Sequence, residues 1–457
     1  MRRLQISLMA GFLLLTVAGT NAGNNTGNFP GTEPFKLSYQ EAIEYALEHG
    51  TEMQAARLDL EIAGRNQWEI TASGLPQIDA SANYQYNFRI PTQLVPAEFF
   101  GGEPGEFVEV QFGTEQNLTA SATVSQLVFD GSYIVGLRAA RIYRELSRQT
   151  LQRSELEVRN QVSETYFIVL LSRDNLSIVR DNLANMKKTL DETREIYKAG
   201  FTDQINLDQL RLSVSNMQNR VQNMERQYEI SKNLLKFQIG YDIDHDIELT
   251  DSLEELFNRM LIEADSGIDD DFDYEDHIDY KVMLSRQTMD YMALRRQQSF
   301  FLPRLTASYT YQQMAMRDEF NFTDRSRPWY PSSFLAVTLN IPIFSSGLRS
   351  ARVQEARLEL YKSELATRQV SQSLKLQIAE ARTRFRNARE QYGNETENLE
   401  LAEKILRQTT IMHSEGMATS LELTQASNQL LETQANYYTA MFEFINAKND
   451  LDKARGI

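Results

Sequence analysis

The chain of 457 residues contains no cysteine, which excludes disulfides, thiolate metal sites, a cysteine nucleophile and a lipid-modified N-terminal cysteine. Any membrane attachment therefore has to come from the fold itself. The four histidines, His49, His245, His277 and His413, are scattered, and none stands at metal-ligand spacing. No glycine-rich loop joins a strand to a helix as phosphate binding requires. No nucleophile is localised beside a base. On these grounds no enzyme activity, cofactor or metal is expected. Basic residues are in the minority, 47 Lys and Arg against 63 Asp and Glu for a formal charge of −16, so the chain lacks the cationic face that nucleic acid needs. Past the N-terminus no apolar run reaches the roughly 18 residues that a transmembrane helix wants. Proline is missing between Pro104 and Pro303 and again after Pro342, which leaves long stretches free to be helical.

Residues 1–22 have the form of an export signal: Arg2 and Arg3, a short apolar core from Leu8 to Ala18, and a small-residue cleavage site at Thr20-Asn21-Ala22. The mature chain is then either soluble outside the cytoplasm or crosses a membrane as β. Residues 23–36, rich in Gly, Asn, Thr and Pro, read as a flexible leader. Ser38 and Glu41 make a capping box for a helix through Ala42, Ile43, Ala46 and Leu47, ended by Gly50. A second helix runs from about Thr51 to Ala72 and is stopped before Leu75-Pro76.

What the chain does have, it has twice. Leu75-Pro76 opens an alternating run in which Ile78, Ala80, Ala82, Tyr84, Tyr86 and Phe88 share one face and Asp79, Ser81, Asn83, Gln85 and Asn87 the other. Leu302-Pro303 opens a similar run, Leu305 to Tyr311. Each is followed by a second alternating segment. One is Leu118 to Phe129, with Gln126 off pattern; the other sets Leu335, Val337, Leu339, Ile341 and Ile343 against Ala336, Thr338 and Asn340. Period two with one polar face is the strand signature, and lengths of about ten residues suit tilted barrel strands. The expected strands cover about 76–90, 118–129, 303–313 and 333–344. Between them lie aromatic-rich segments read as loops, 91–117 and 314–332, whose aromatics would form an interfacial girdle or simply pack against the loop.

After each strand pair comes a proline-free stretch with one glycine deep inside, Gly200 and Gly416. Val162, Val169, Leu176, Leu183, Leu190 and Tyr197 recur at heptad spacing, and Leu207, Leu210, Val214, Met217, Val221, Met224 and Tyr228 return at spacings of three and four. The second half repeats this with Leu374, Ile378, Ala381, Phe385, Ala388 and Tyr392, then Leu423, Leu430, Tyr437, Phe444 and Leu451. Sustained heptads predict helices packed side by side as coiled coils over about 131–240 and 347–456. A helix from Gly131 to Tyr197 would be a rod of roughly 100 Å, which belongs to a tube or stalk rather than to one globular core. The chain therefore divides into a first repeat (37–240), an acidic linker (241–281) and a second repeat (282–457). The linker carries Asp269-Asp270-Asp271, Asp273, Glu275 and Asp276 without calcium-loop spacing, and reads as a solvated connection. The turns at Gly200 and Gly416 give polar tips suited to docking against another helical hairpin.

The Leu-Pro strand openings, the corners Phe129-Asp130-Gly131 and Phe344-Ser345-Ser346-Gly347, and the two Gly-centred turns together resemble the TolC-type outer-membrane efflux protein family over essentially the whole mature chain. The resemblance implies a mainly α fold with a small transmembrane β-barrel: a homotrimer in which four strands per chain close a twelve-stranded barrel and the helices continue as a periplasmic tunnel. It implies a passive exit duct of a tripartite efflux or type I secretion system. The partners would be a periplasmic adaptor (membrane fusion) protein docking at the tips near Gly200 and Gly416, an inner-membrane pump, and outer-membrane lipid. The family's acidic pore ring falls on Glu422, with Gln425 one helical turn later lacking the charge, and its inter-helix latch falls on Asn206 and His413. From the residues alone, a soluble periplasmic coiled-coil adaptor or scaffold remains the alternative. An exported carboxylate hydrolase fits poorly, because the heptad rods leave little chain for a cleft.

Overall fold

A computed structural model describes residues 34–265 and 272–456. In chain order its elements are β1 (Phe35–Leu37), α1 (Tyr39–His49), α2 (Thr51–Ala72), β2 (Gln77–Tyr86), β3 (Thr92–Pro96), β4 (Phe107–Gln111), β5 (Gln116–Asp130), α3 (Gly131–Lys198) and α4 (Gln204–Ile239). There follow β6 (Ile247–Leu249), α5 (Leu253–Asp265), α6 (Ile278–Ser299), β7 (Arg304–Arg317), β8 (Tyr330–Asn340), α7 (Leu348–Ser414) and α8 (Ser420–Arg455). The fold is mainly helical. The signal at 1–22 and the aspartates at 269–271 lie outside the described residues.

Four strands form one antiparallel sheet in the order β2-β5-β7-β8, leaving β2 and β8 as edges. Beyond one end of the sheet the helices form a layer in a matching order, α2 against α3, α3 against α6 and α6 against α7, so that α2 and α7 are its edges. Farther from the strands, α3 pairs with α4 and α7 with α8 as two antiparallel hairpins. Their seams hold the heptad residues. Leu207, Leu210 and Val214 are buried with Leu190, and Met217 and Val221 with Leu176, while Val162 and Val169 join Leu235 and Ile239 in the main core and Leu183, Met224 and Tyr228 are partly buried. Tyr166, Phe167, Phe385 and Phe444 are fully enclosed where the layers meet, each stabilising the fold by about 1.5–3 kcal/mol relative to an exposed position.

The corners from strand to helix have local causes. The Asp130 carboxylate accepts from Ser132 N at 2.7 Å and Tyr133 N at 3.3 Å, capping α3, and Arg304 closes on its other oxygen at 3.5 Å. A register shift between Leu127 and Phe129 bends β5 into this corner. Gln126, off pattern in the alternation, sends its amide to Gly74 O at 2.7 Å and so ties the strand to the end of α2. In the second half Gly347, at φ +82°, begins α7, and Arg349 donates to Pro342 O at 2.8 Å.

Several features differ from the sequence expectations. The first strand stops at Tyr86 rather than near 90, and the segment 314–332 is strand at both ends, since β7 runs to Arg317 and β8 starts at Tyr330. The segment 91–117 is not a plain loop: β3 and β4 pair as a hairpin around a 3-10 turn at Ala97–Phe100, because a long connection must satisfy its own backbone groups. The leader expected over 23–36 already contains Phe35 and Lys36 of β1, which runs parallel to β6. The acidic connection 241–281 is not merely solvated. It supplies β6 and α5, and Ile247, Leu249, Leu253, Leu256 and Phe257 are buried in the main core, so burial of its apolar residues outweighs its charge. The closing strand ends at Asn340 rather than near 344, with Pro342 unable to continue a ladder.

The contact between chain start and connection is fastened by Asp251. Its carboxylate accepts from Tyr39 N at 2.5 Å and from Tyr166 Oη at 2.8 Å, while Arg173 holds Leu249 O at 3.2 Å and Asp251 O at 3.1 Å. Asp251→Ala removes the acceptor of the Tyr39 amide and leaves the Tyr166 hydroxyl with Leu37 O as its remaining acceptor, at a cost of about 1–3 kcal/mol. Accelerated proteolytic release of the segment before α1 is the expected outcome. Unchanged cleavage kinetics would show that the clasp is not what holds it.

The short helices meet end to end at the same level. Gly240, at φ +78°, ends α4 against the start of α2: a Cβ there would lie 2.7 Å from His49 O and 3.1 Å from Gly50 Cα. Gly456, at φ +77°, ends α8 beneath α6. His277 joins that pair, accepting from Asp279 N on Nδ1 and lying 3.2 Å by Nε2 from Lys453 O. Both junctions set a negative helix end on a positive one, the favourable dipole arrangement.

Candidate functional site: the strand face and the hairpin tips

The sheet has two unlike faces, fixed by register. One carries Ile78, Val124, Tyr309 and Leu335 in a row across all four strands, with Ala307 and Val337 opposite one another beside it. Ile78 and Leu335 are 75% and 72% exposed, as costly in water as they are suited to lipid. The other face is lined by hydroxyls and amides that bond across strands: Ser81 Oγ to Ser121 Oγ at 2.9 Å, Thr123 Oγ1 to Thr310 Oγ1 at 3.0 Å, and Gln312 Nε2 to Ser332 Oγ at 3.3 Å. At the end of the sheet away from the helices, Phe320 and Phe322 of the β7–β8 connection pack edge-on against Tyr84 at 6.0 and 5.9 Å. Beside them Arg317 is buried and holds Pro328 O at 2.8 Å, pinning that connection to the strand.

At the opposite end both hairpin tips are built alike. Phe201 N bonds Ile196 O at 3.1 Å around Gly200 (φ +81°), and Met417 N bonds Met412 O at 2.8 Å around Gly416 (φ +73°). These are six-to-one closures that need left-handed glycine. Exposed apolar side chains crown both tips, Phe201 and Ile205 on one, Met417 and Leu421 on the other.

The residues singled out at the second tip lie as follows. Glu422 is the third residue of α8 and forms a capping box with Thr419. Its Oε2 accepts from Thr419 N at 2.7 Å and from Thr419 Oγ1 at 3.0 Å, and Glu422 N donates back to Thr419 Oγ1 at 3.2 Å. The Thr419 backbone N–H, and then its hydroxyl, hold the Glu422 carboxyl below the usual carboxylate range. A depressed folded value means that the cap's contribution is present above the ordinary pKa and lost as pH falls through the lowered one. Fraying of the α8 start should therefore appear only in acid, read as faster amide exchange at Leu421–Leu423. Acid-independent exchange would remove the capping account. Gln425 is exposed on the same helix. Asn206 donates to Thr202 Oγ1 at 3.1 Å within the first hairpin, and the carbonyl of His413 accepts from Gly416 N at 3.1 Å.

Between the hairpins, near the tips, lies a groove of about 370 Å³ lined by Asn182, Met186, Leu210, Thr410, Leu423 and Ser427. Just above it the hairpins touch through Asn182 Nδ2 and Gln434 Oε1 at 3.3 Å. Among the described residues no helix is long and apolar enough to cross a membrane, and no group of three or more acidic, His or Cys side chains could hold a metal ion. The Asp251 clasp and the two glycine junctions went unread in the sequence. Their only signals were isolated tyrosines and a glycine just past a heptad run.

The family model for outer membrane efflux proteins matches residues 42–241 and 292–456, and the chain belongs to that family. It is an outer-membrane exit channel of efflux systems with a helical tunnel in the periplasm, and it is a transport protein rather than an enzyme. Solved structures share the fold at low identity. VceC of Vibrio cholerae superposes with a TM-score of 0.67 at 16% identity, over 92% of this chain and 96% of that one. CmeC of Campylobacter jejuni gives 0.70 at 16%, over 92% and 85%. CusC, described as changing conformation on folding and transmembrane channel formation, gives 0.72 at 14%, over 94% and 95%. Among curated proteins no significant match is found.

Proposed function

We propose that three copies of this chain close edge to edge into a passive exit duct, with a twelve-stranded barrel in the outer membrane and a helical tunnel below it. The observation that carries this is the coincidence of unpaired edges. The sheet is open at β2 and β8, and the helical layer is open at α2 and α7, the helices that precede β2 and follow β8. Both helical edges expose apolar stripes, Leu58, Ile62 and Trp68 on α2, Leu358, Tyr361 and Leu365 on α7. Lipid does not tolerate open strand edges, and joining β8 of one copy to β2 of the next removes them. Ring closure by a heterologous contact meets both demands at once.

In the closed duct the row through Ile78 and Leu335 faces lipid and the hydroxyl face lines water. Energy comes from an inner-membrane pump, in efflux or in type I secretion, because the chain has no nucleotide loop. A periplasmic adaptor docks on the crowned tips around Gly200 and Gly416. The three Glu422 carboxylates form the closed constriction, Gln425 forms an uncharged ring one turn above, and Asn206 with His413 latches neighbouring hairpins. Chemical cross-linking of the detergent-solubilised protein tests the assembly: a trimer is expected, and a monomer that stays soluble without detergent would discard it in favour of a periplasmic scaffold. Glu422→Gln preserves the capping geometry, since glutamine also serves at that position, and therefore isolates the charge. It should raise single-channel conductance or lower cation preference in planar bilayers. An unaltered trace would remove Glu422 from the pore.

A further inference from the structure

The hydroxyl-lined face of the sheet is almost free of charge, and the exception is informative. Following register across β2, β5, β7 and β8, that face holds only three ionic side chains, Asp79, Asp130 and Arg304. Asp130 and Arg304 lie 3.5 Å apart and cancel at the helical end. Asp79 remains. Its register partner is Thr123, whose hydroxyl is bonded onward to Thr310, and its neighbours along the face are Gln77 and Ser81. It is exposed, and no cation stands opposite or beside it on the face.

We propose that Asp79 sets the electrostatic sign of the barrel: its carboxylates form a collar that concentrates cationic solutes and repels anionic ones at the base of the bore. The proposal rests on the duct reading above. Twelve strands about 4.8 Å apart and tilted about 40° enclose a backbone radius of roughly 12 Å. The Debye length is about 8–10 Å at 0.1–0.15 M salt. The field of a three-carboxylate collar therefore reaches most of the cross-section near physiological salt and is confined to the wall at 1 M, where screening falls to about 3 Å. Rings of acidic side chains act as cation selectors for this reason. The collar lies where the strands leave the helices, a long way from Glu422 at the hairpin tips, so the two carboxylates act in series on different stretches of the path.

Because the chain has no cysteine, a single introduced thiol reports the local potential on a silent background. Ser81→Cys places the probe two residues from Asp79 on the same face, about 7 Å away. Intact cells producing the full-length protein are treated at 10 mM salt with cationic or anionic methanethiosulfonates of matched size, and rates are normalised to a free thiol. The cationic reagent should react about three- to tenfold faster, as a unit charge at that distance in water predicts for two probes of opposite sign. The preference should collapse towards one in Ser81→Cys/Asp79→Asn and in 1 M salt. A preference that survives either change would overturn the role of Asp79. Should Ser81→Cys resist both reagents while Leu335→Cys reacts, the water-lined face has been assigned to the wrong side, and the duct reading fails together with the collar. Asp79→Asn is confirmed as folded by its recovery in the outer membrane.

Discussion

Leu335→Arg is expected to abolish recovery of the protein from the outer membrane. Leu335 stands in the row with Tyr309, Val124 and Ile78 on the apolar face, without a covering element. An arginine facing lipid in a barrel costs up to about 2–4 kcal/mol, the more the deeper it lies, and a threefold ring incurs it three times. The sum rivals the whole stability of a typical fold, about 5–15 kcal/mol. Gln312→Arg places the same charge on the hydroxyl face, where water solvates it, and should leave membrane recovery and heat-resistant oligomers intact. Fractionation followed by electrophoresis with and without heating separates the two outcomes. Equal behaviour of both variants would mean that the two faces do not meet different solvents.

Gly240→Val should destabilise the helical body by about 2–5 kcal/mol in all. Two costs coincide there. The residue sits at φ +78°, where a β-branched side chain loses about 1–2 kcal/mol. Its Cβ would also press on His49 O at 2.7 Å and Gly50 Cα at 3.1 Å, backbone atoms that cannot rotate away. Overpacking of this kind adds about 1–3 kcal/mol. Gly393, inside α7, is the matched control, because a Cβ added there would meet nothing within 4 Å. Gly393→Ala should stabilise the chain by about 0.5–1 kcal/mol. Thermal unfolding followed at the helical band, on protein in detergent, orders the three forms. A Gly240→Val melt equal to that of the parent would show that α4 and α2 are not held together at this point.

The parts of the fold legible in the sequence are those written in short-range periodicity. Alternation along β2 and β5 set the two faces, heptads through Val162 and Leu176 set the hairpin seams, and Ser38 with Glu41 set the first helix start. Glycines 200 and 416 marked the reversals because left-handed backbone has few other solutions. Long-range partnerships were not legible. Phe35 meets Ile247, and Tyr39 meets Asp251, across more than 200 residues, and nothing local in a three-residue strand announces such a pairing. The acidic run drew attention to charge and away from Leu253, Leu256 and Phe257, whose burial decides the conformation of the segment. At the tip, Glu422 was placed by its distance from Gly416, but the capping box with Thr419 appeared only once the helix start was fixed. Asp79 is merely one polar position in an alternating run until register shows that Arg304, the cation on its face, is paired with Asp130.

The end-to-end meeting of α4 with α2 and of α8 with α6 has a mechanical result. Around the wall, α3 and α7 run unbroken past the level at which the shorter helices are spliced. Half of the staves therefore transmit torque along a continuous hydrogen-bond ladder, and half only through butt joints made by Gly240 and His277. A cylinder built this way has one plane of least bending stiffness. Twisting applied at the tips reaches the strands through covalent helix only along α3 and α7, and along the spliced staves only through the contacts at Gly240 and His277.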